Sequence, residues 1–142
     1  MINSSFFNAR RKIVKKLIPI LLSTLMLGGC AVISDSQTNT YRQITMDEAV
    51  NMMAHETGYI ILDVRRPDEF AAGHIPNAIN VPNETIDTAE IPELPKKDQL
   101  IMVYCRSGRR SKEAAEKLVK LGYTNIVEFG GILDWKGEII SE

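Results

Sequence analysis

From residue 41 onward the chain alternates short apolar runs with amphipathic stretches. Residues 41–44 are a short strand candidate. Thr45 is followed three residues later by Glu48, the signature of a reciprocal helix cap. The cap predicts a helix to about His55, with Met46, Ala49, Val50 and Met53 on one face and Gly58 ending it. Residues 59–64 (YIILDV) form an apolar run broken by one acid, as suits a parallel strand covered on both faces. Pro67 opens a short helix, the GHIPN segment at 73–77 turns, and residues 78–81 read as a strand. Residues 82–98 hold three prolines and five acids and read as a surface connection with one helical turn. Residues 100–104 (LIMVY) are the clearest strand. Residues 111–121 predict a helix burying Ala114, Ala115, Leu118, Val119 and Leu121, with Gly122 as its left-handed terminus. A strand over 125–129, a Gly130-Gly131 turn and a closing helical turn over 132–136 complete the pattern. Strand–helix alternation of this kind implies an α/β fold, a parallel sheet between helices.

Composition narrows the function classes. The chain has 142 residues, 44% hydrophobic and 25% charged, an ordinary globular balance. The net charge of −1 hides an asymmetry, because all five basic groups before residue 30 lie in 10–16 and no acid accompanies them. Residues 30–142 keep 12 basic and 18 acidic groups, a net of −6. Such a body lacks the clustered Lys and Arg of a general nucleic-acid binder. With only Cys30 and Cys105, neither a disulfide framework nor a four-cysteine zinc site is available.

The N-terminus reads as an address. A basic segment at 10–16 precedes a largely apolar stretch at 17–27, short of the roughly 20 residues that span a bilayer. The order of positive, apolar and small residues matches a secretory signal over 1–29. Leu27-Gly28-Gly29-Cys30 resembles the lipobox of bacterial lipoproteins. The resemblance implies that Cys30 is lipidated, with a diacyl, palmitate-type anchor holding the protein on a membrane outside the cytoplasm. Residues 31–40 are small and polar and read as a flexible tether after the lipidated cysteine. The folded domain is then expected over 41–142.

Cys105 follows the best strand and precedes a helix. In a parallel sheet, ligands gather beyond the carboxyl ends of strands, and the next helix directs free N–H groups and its positive end at that point. Arg106, Arg109 and Arg110 add full positive charge, and Gly108 lets the backbone turn tightly enough for several N–H groups to converge on one anion. Each effect favours thiolate over thiol. The bland alternative is a small buried hydrophobe at a strand end beside a solvated arginine patch.

Three motifs then carry a family resemblance. LDVRRPDEF at 62–70 with GHIPNAINVP at 73–82, VYCRSGRRS at 103–111, and GGILDW at 130–135 resemble, in order, the signature region, active-site loop and closing motif of rhodanese-domain sulfurtransferases. The resemblance covers about residues 41–142. It implies a three-layer α/β/α fold around a five-stranded parallel sheet. Asn77 stands where the family often has Gly, a position Asn fills by adopting the left-handed conformation. The six-residue loop from Cys105 to Arg110 suits a persulfide. Related phosphatases and arsenate reductases place five residues between cysteine and arginine, and here that position is Ser111.

By this resemblance Cys105 is the nucleophile of a two-step sulfur transfer from thiosulfate, or a similar donor, to cyanide or a thiol. Arg106 contacts the donor anion, Ser107 and Gly108 complete the cradle, and Arg109, Arg110 and Arg65 assist substrate binding. Neither a metal nor an organic cofactor is required, and a monomer is the expected state. Asp63, His74 and Glu69 read as structural. The competing readings are a non-catalytic rhodanese module that binds a protein partner and an oxyanion enzyme, the latter disfavoured by loop length.

Overall fold

The structure is a computed structural model describing residues 40–87 and 90–142. The signal segment, Cys30 and the tether up to residue 39 lie outside the described residues. Five strands form one sheet: β1 (Arg42–Gln43), β2 (Ile60–Asp63), β3 (Ala78–Asn80), β4 (Ile101–Cys105) and β5 (Ile126–Gly131). Their order is β1-β5-β4-β2-β3 and every pairing is parallel. The helices are α1 (Met46–His55), α2 (Pro67–Ala72) and α3 (Arg109–Lys120).

Strand periodicity separates two cores. Leu62, Val64, Ile101, Val103, Cys105 and Ile126 pack with Ala114, Ala115 and Leu118 of α3. Ile61, Met102, Tyr104 and Phe129 pack with Ala49 of α1 and Phe70 of α2. Successive strand residues point to opposite faces, so both faces of the central strands are apolar and covered.

The capping box of α1 forms as expected: Glu48 N–H donates to Thr45 Oγ1 at 3.2 Å, and Thr45 N–H donates to Glu48 Oε2 at 2.7 Å. Two details of α1 differ. Val50 is exposed, and Met52 joins Met46 and Met53 against the core. The helix ends at Glu56 in an extended conformation, two residues before Gly58 turns left-handed. The connection after β3 is less superficial than its prolines and acids suggest. Ile86, Ile91 and Leu94 are buried, and the Tyr123 hydroxyl donates to the Leu94 carbonyl at 2.8 Å. The closing helical turn is shorter than expected, covering Ile132–Asp134. Asn77 adopts φ of 64°, the left-handed geometry expected of it.

Candidate active site

The sheet presents Cys105 as the last residue of β4, rather than one residue beyond it, with 1% of its surface exposed. Ile101, Val103 and Cys105 share the α3 face, so the thiol points under the N-terminus of that helix. Gly108 turns the chain with φ of 97°, and its N–H donates to Cys105 Sγ at 3.1 Å. Its backbone serves as the N-cap of α3, which begins at Arg109. The N–H that reaches the sulfur thus comes from the start of a helix, the end that attracts anions.

The end of β5 closes the loop from beside it. Val103 pairs with Glu128 and Cys105 with Gly131, so β5 sets Phe129 and Gly130 against the single residue Tyr104. This bulge turns Gly130 to φ of 94° and brings Gly131 directly under the loop. A Cβ on Gly131 would fall on the Arg106 carbonyl oxygen and the Ser107 Cα. Leu133 N–H donates to the same Arg106 carbonyl at 3.3 Å. The glycine pair therefore serves close approach as well as turning.

The loop arginines separate into distinct environments. Arg106 is exposed, and among the described residues its side chain has no hydrogen-bond or ion-pair partner. Ser107 is also exposed. Arg109, on the outer side of α3, pairs with Glu113 at 2.6 Å. Arg110 is half-buried and makes two hydrogen bonds, at 2.7 and 2.9 Å, to the carboxylate of Glu69 on α2. That pairing holds the Glu69 carboxyl down at about 2. Glu69 in turn raises the Arg110 guanidinium against its burial cost, with the Cys105 sulfur adding in the same direction. The Arg110 charge at the loop is thus already paired within the protein.

Arg65 lies just past the end of β2. It is 6% exposed. Its Nε donates to Asp63 Oδ1 and Oδ2 at 3.0 and 2.9 Å, and its Nη2 to Asp63 Oδ2 at 2.6 Å and to the Gly73 carbonyl at 2.7 Å. The guanidinium also lies over the Tyr104 ring, 5.7 Å from its centroid. Through these Nε and Nη2 bonds, Arg65 ties the end of β2 to Gly73, the residue after α2. Burial, with Asp63 beside it, pushes the Tyr104 hydroxyl well above the ordinary phenol range. His74 is structural as well. Its Nδ1–H donates to the Phe70 carbonyl at 2.9 Å and its ring stacks on Phe70 at 3.7 Å.

Two residues that sequence reasoning passed over complete the site. Glu128, 2% exposed in the middle of β5, accepts the Ser111 hydroxyl at 2.6 Å and the Gly130 N–H at 2.9 Å, both on Oε1. Ser111 Oγ also lies 3.0 Å from the Gly108 carbonyl. The available signal was an acid at the centre of an otherwise apolar strand, two residues before a glycine pair.

Comparison with known proteins agrees with this geometry. The Rhodanese-like domain family matches residues 45–138. The chain is 36% identical over 73 residues to the thiosulfate sulfurtransferase PspE of Escherichia coli, covering 51% of this chain and 70% of that protein. It is 34% identical over 94 residues to a sulfurtransferase of Allochromatium vinosum, covering 66% of this chain and 86% of that protein. Among solved structures, a rhodanese-related protein of Thermoplasma volcanium superposes with a TM-score of 0.60 at 31% identity, over 72% of this chain and all of that one. A rhodanese from E. coli with bound anions superposes with a TM-score of 0.55 at 31% identity, over 59% of this chain and 99% of that one.

Proposed function

The chain belongs to the rhodanese-like domain family, and from that premise we propose that it transfers a sulfane sulfur from thiosulfate, or a similar anionic donor, through a persulfide on Cys105 to cyanide or a thiol. The Cys105 thiolate attacks the outer sulfur of thiosulfate. The sulfur–sulfur bond breaks, its electron pair leaves with sulfite, and the cysteine keeps a terminal persulfide. Cyanide or a thiolate then attacks that outer sulfur, and the Cys105 thiolate leaves, ready for another cycle. The Gly108 N–H and the N-terminal turn of α3 hold negative charge on the sulfur in both half-reactions.

The observation that carries this reading is the Gly108 N–H aimed at Cys105 Sγ from the start of a helix. Arg106 supplies the exposed, unpaired cation for the donor dianion, and Arg109 adds field from further out. Incubation with thiosulfate should add about 32 Da, one sulfur, to the intact protein, and cyanide should remove it as thiocyanate. Cys105→Ser should show neither adduct nor thiocyanate. An adduct surviving in that variant would place the chemistry elsewhere.

The leader and Leu27-Gly28-Gly29-Cys30 support a second part of the reading. The protein is carried as a lipoprotein on Cys30, and the sulfurtransferase domain is tethered to a membrane outside the cytoplasm. Acyl burial supplies the anchoring energy, about 0.8 kcal/mol per methylene.

A further inference from the structure

We infer that Glu128 is a positioning residue for the Cys105 loop, acting through Ser111 and Gly130 by hydrogen-bond geometry rather than by its charge. The inference rests on Cys105 being the reacting group. A buried carboxylate in a central strand is costly unless its oxygens find donors. Glu128 Oε1 finds two, the Ser111 hydroxyl at 2.6 Å and the Gly130 N–H at 2.9 Å. These donors belong to the two segments that frame the cysteine loop. Ser111 lies in the first turn of α3, three residues beyond Gly108, whose N–H reaches Cys105 Sγ. Gly130 lies in the β5 bulge that brings Gly131 against Arg106 and Ser107.

One oxygen therefore joins two left-handed glycine turns. A Cβ at Gly108 would stand 3.7 Å from Gly130 Cα and 4.0 Å from Glu128 Oε1, so all three groups are in close packing. An apolar residue at 128 would fill the strand face but leave the Ser111 hydroxyl and the Gly130 N–H without this acceptor. Ser111 would then be free to bond elsewhere, to the Gly108 carbonyl at 3.0 Å or the Gly130 carbonyl at 3.4 Å. That would loosen the register of Gly108 over the sulfur. Negative charge at this position opposes a thiolate nearby, so charge does not explain its presence; an acceptor oxygen at that point does. Glutamine supplies the same carbonyl oxygen without the charge.

The experiment compares wild type with Glu128→Gln, Glu128→Ala and Ser111→Ala. The neutral reagent iodoacetamide reads the cysteine environment without any sulfur donor, and steady-state thiosulfate:cyanide kinetics follow. Glu128→Gln should alkylate at Cys105 within about threefold of wild type. Glu128→Ala and Ser111→Ala should alkylate at least tenfold more slowly. They should also lose kcat while the KM for thiosulfate stays near the wild-type value, because Arg106 is untouched. Thermal melts establish that each variant is folded at the assay temperature, and Ser111→Ala decides the matter if Glu128→Ala does not fold. Wild-type alkylation rates in Ser111→Ala would overturn the inference. So would a Glu128→Gln variant as slow as Ser111→Ala, because the charge would then be the working element. Sulfur-transfer failure by the wild type would instead strike the proposed function, and the alkylation series would still report on the loop.

Discussion

Two glycines and three arginines in and against the Cys105 loop show how differently one residue type can be used around a single site. Gly108 needs its φ of 97°, but an added Cβ would make only ordinary van der Waals contact, the nearest atom being 3.7 Å away. Gly131 has the opposite constraint, since an added methyl meets loop backbone that has nowhere to go. Gly108→Ala should therefore fold with about 1–2 kcal/mol of left-handed strain and a weakened bond to the sulfur. Gly131→Ala should cost more, about 3 kcal/mol, and displace the loop altogether. Parallel urea titrations and persulfide mass spectra of the two variants check that order, and equal losses would contradict it. The arginines divide in the same way. Arg106→Ala should raise the KM for thiosulfate by about ten- to hundredfold, the worth of one charge-assisted contact of about 1.5–3 kcal/mol. Arg110→Ala should show its main effect in stability instead, because its hydrogen bonds go to Glu69.

At the scale of elements, the ion pair between Glu69 and Arg110 joins α2 to the first turn of α3 across the mouth of the site. The Arg110 hydrogen bond holds the Glu69 carboxyl at about 2, below its ordinary 4.5. A carboxyl held down in the folded state adds stability that is fully present above pH 4.5 and is lost as the pH falls through 2. Chemical denaturation of wild type and Glu69→Gln should therefore differ by a constant amount from pH 5 to 7. The gap should close progressively between pH 4.5 and 2. Partial exposure keeps it modest, about 1 kcal/mol at neutral pH. A gap that persists unchanged at pH 2 would show that Glu69 contributes by packing and not by its charge. The short α2 matters for a related reason: with its N-terminal Pro67 and its end tied through Gly73 to Arg65, it delivers Glu69 to Arg110.

For the whole molecule, the described residues from Tyr41 onward build a two-faced core. A chain beginning at Ser34 should therefore be soluble and match the full-length protein in thiosulfate:cyanide turnover. On the lipoprotein reading, Cys30→Ser should block lipidation and leave an uncleaved precursor. Membrane fractionation and thiol titration check both statements. Two titratable thiols in the native protein, or its recovery entirely from the cytosolic fraction, would refute the lipoprotein reading.

What was legible in the sequence was local or periodic. The capping box at Thr45 and Glu48, the apolar strands, the left-handed Asn77 and Gly122, and a cysteine between strand and helix all depend on neighbours within a few residues, so the chain alone declares them. The family resemblance likewise rests on contiguous motifs. The rest depended on residues distant in sequence. Arg110 looked like an assisting cation beside Arg106 until the fold brought it to Glu69, 41 positions earlier. The partners of Arg65 were not visible until the fold brought its Nη2 to Asp63 and Gly73. Glu128 looked like an ordinary acid in a strand, because neither Ser111 nor the bulge that turns Gly130 is visible before α3 packs on β5. Sequence determines which conformation each segment prefers and which residue can be a nucleophile. Tertiary packing decides which charges remain unpaired around it, because pairing depends on distances that only the closed chain sets.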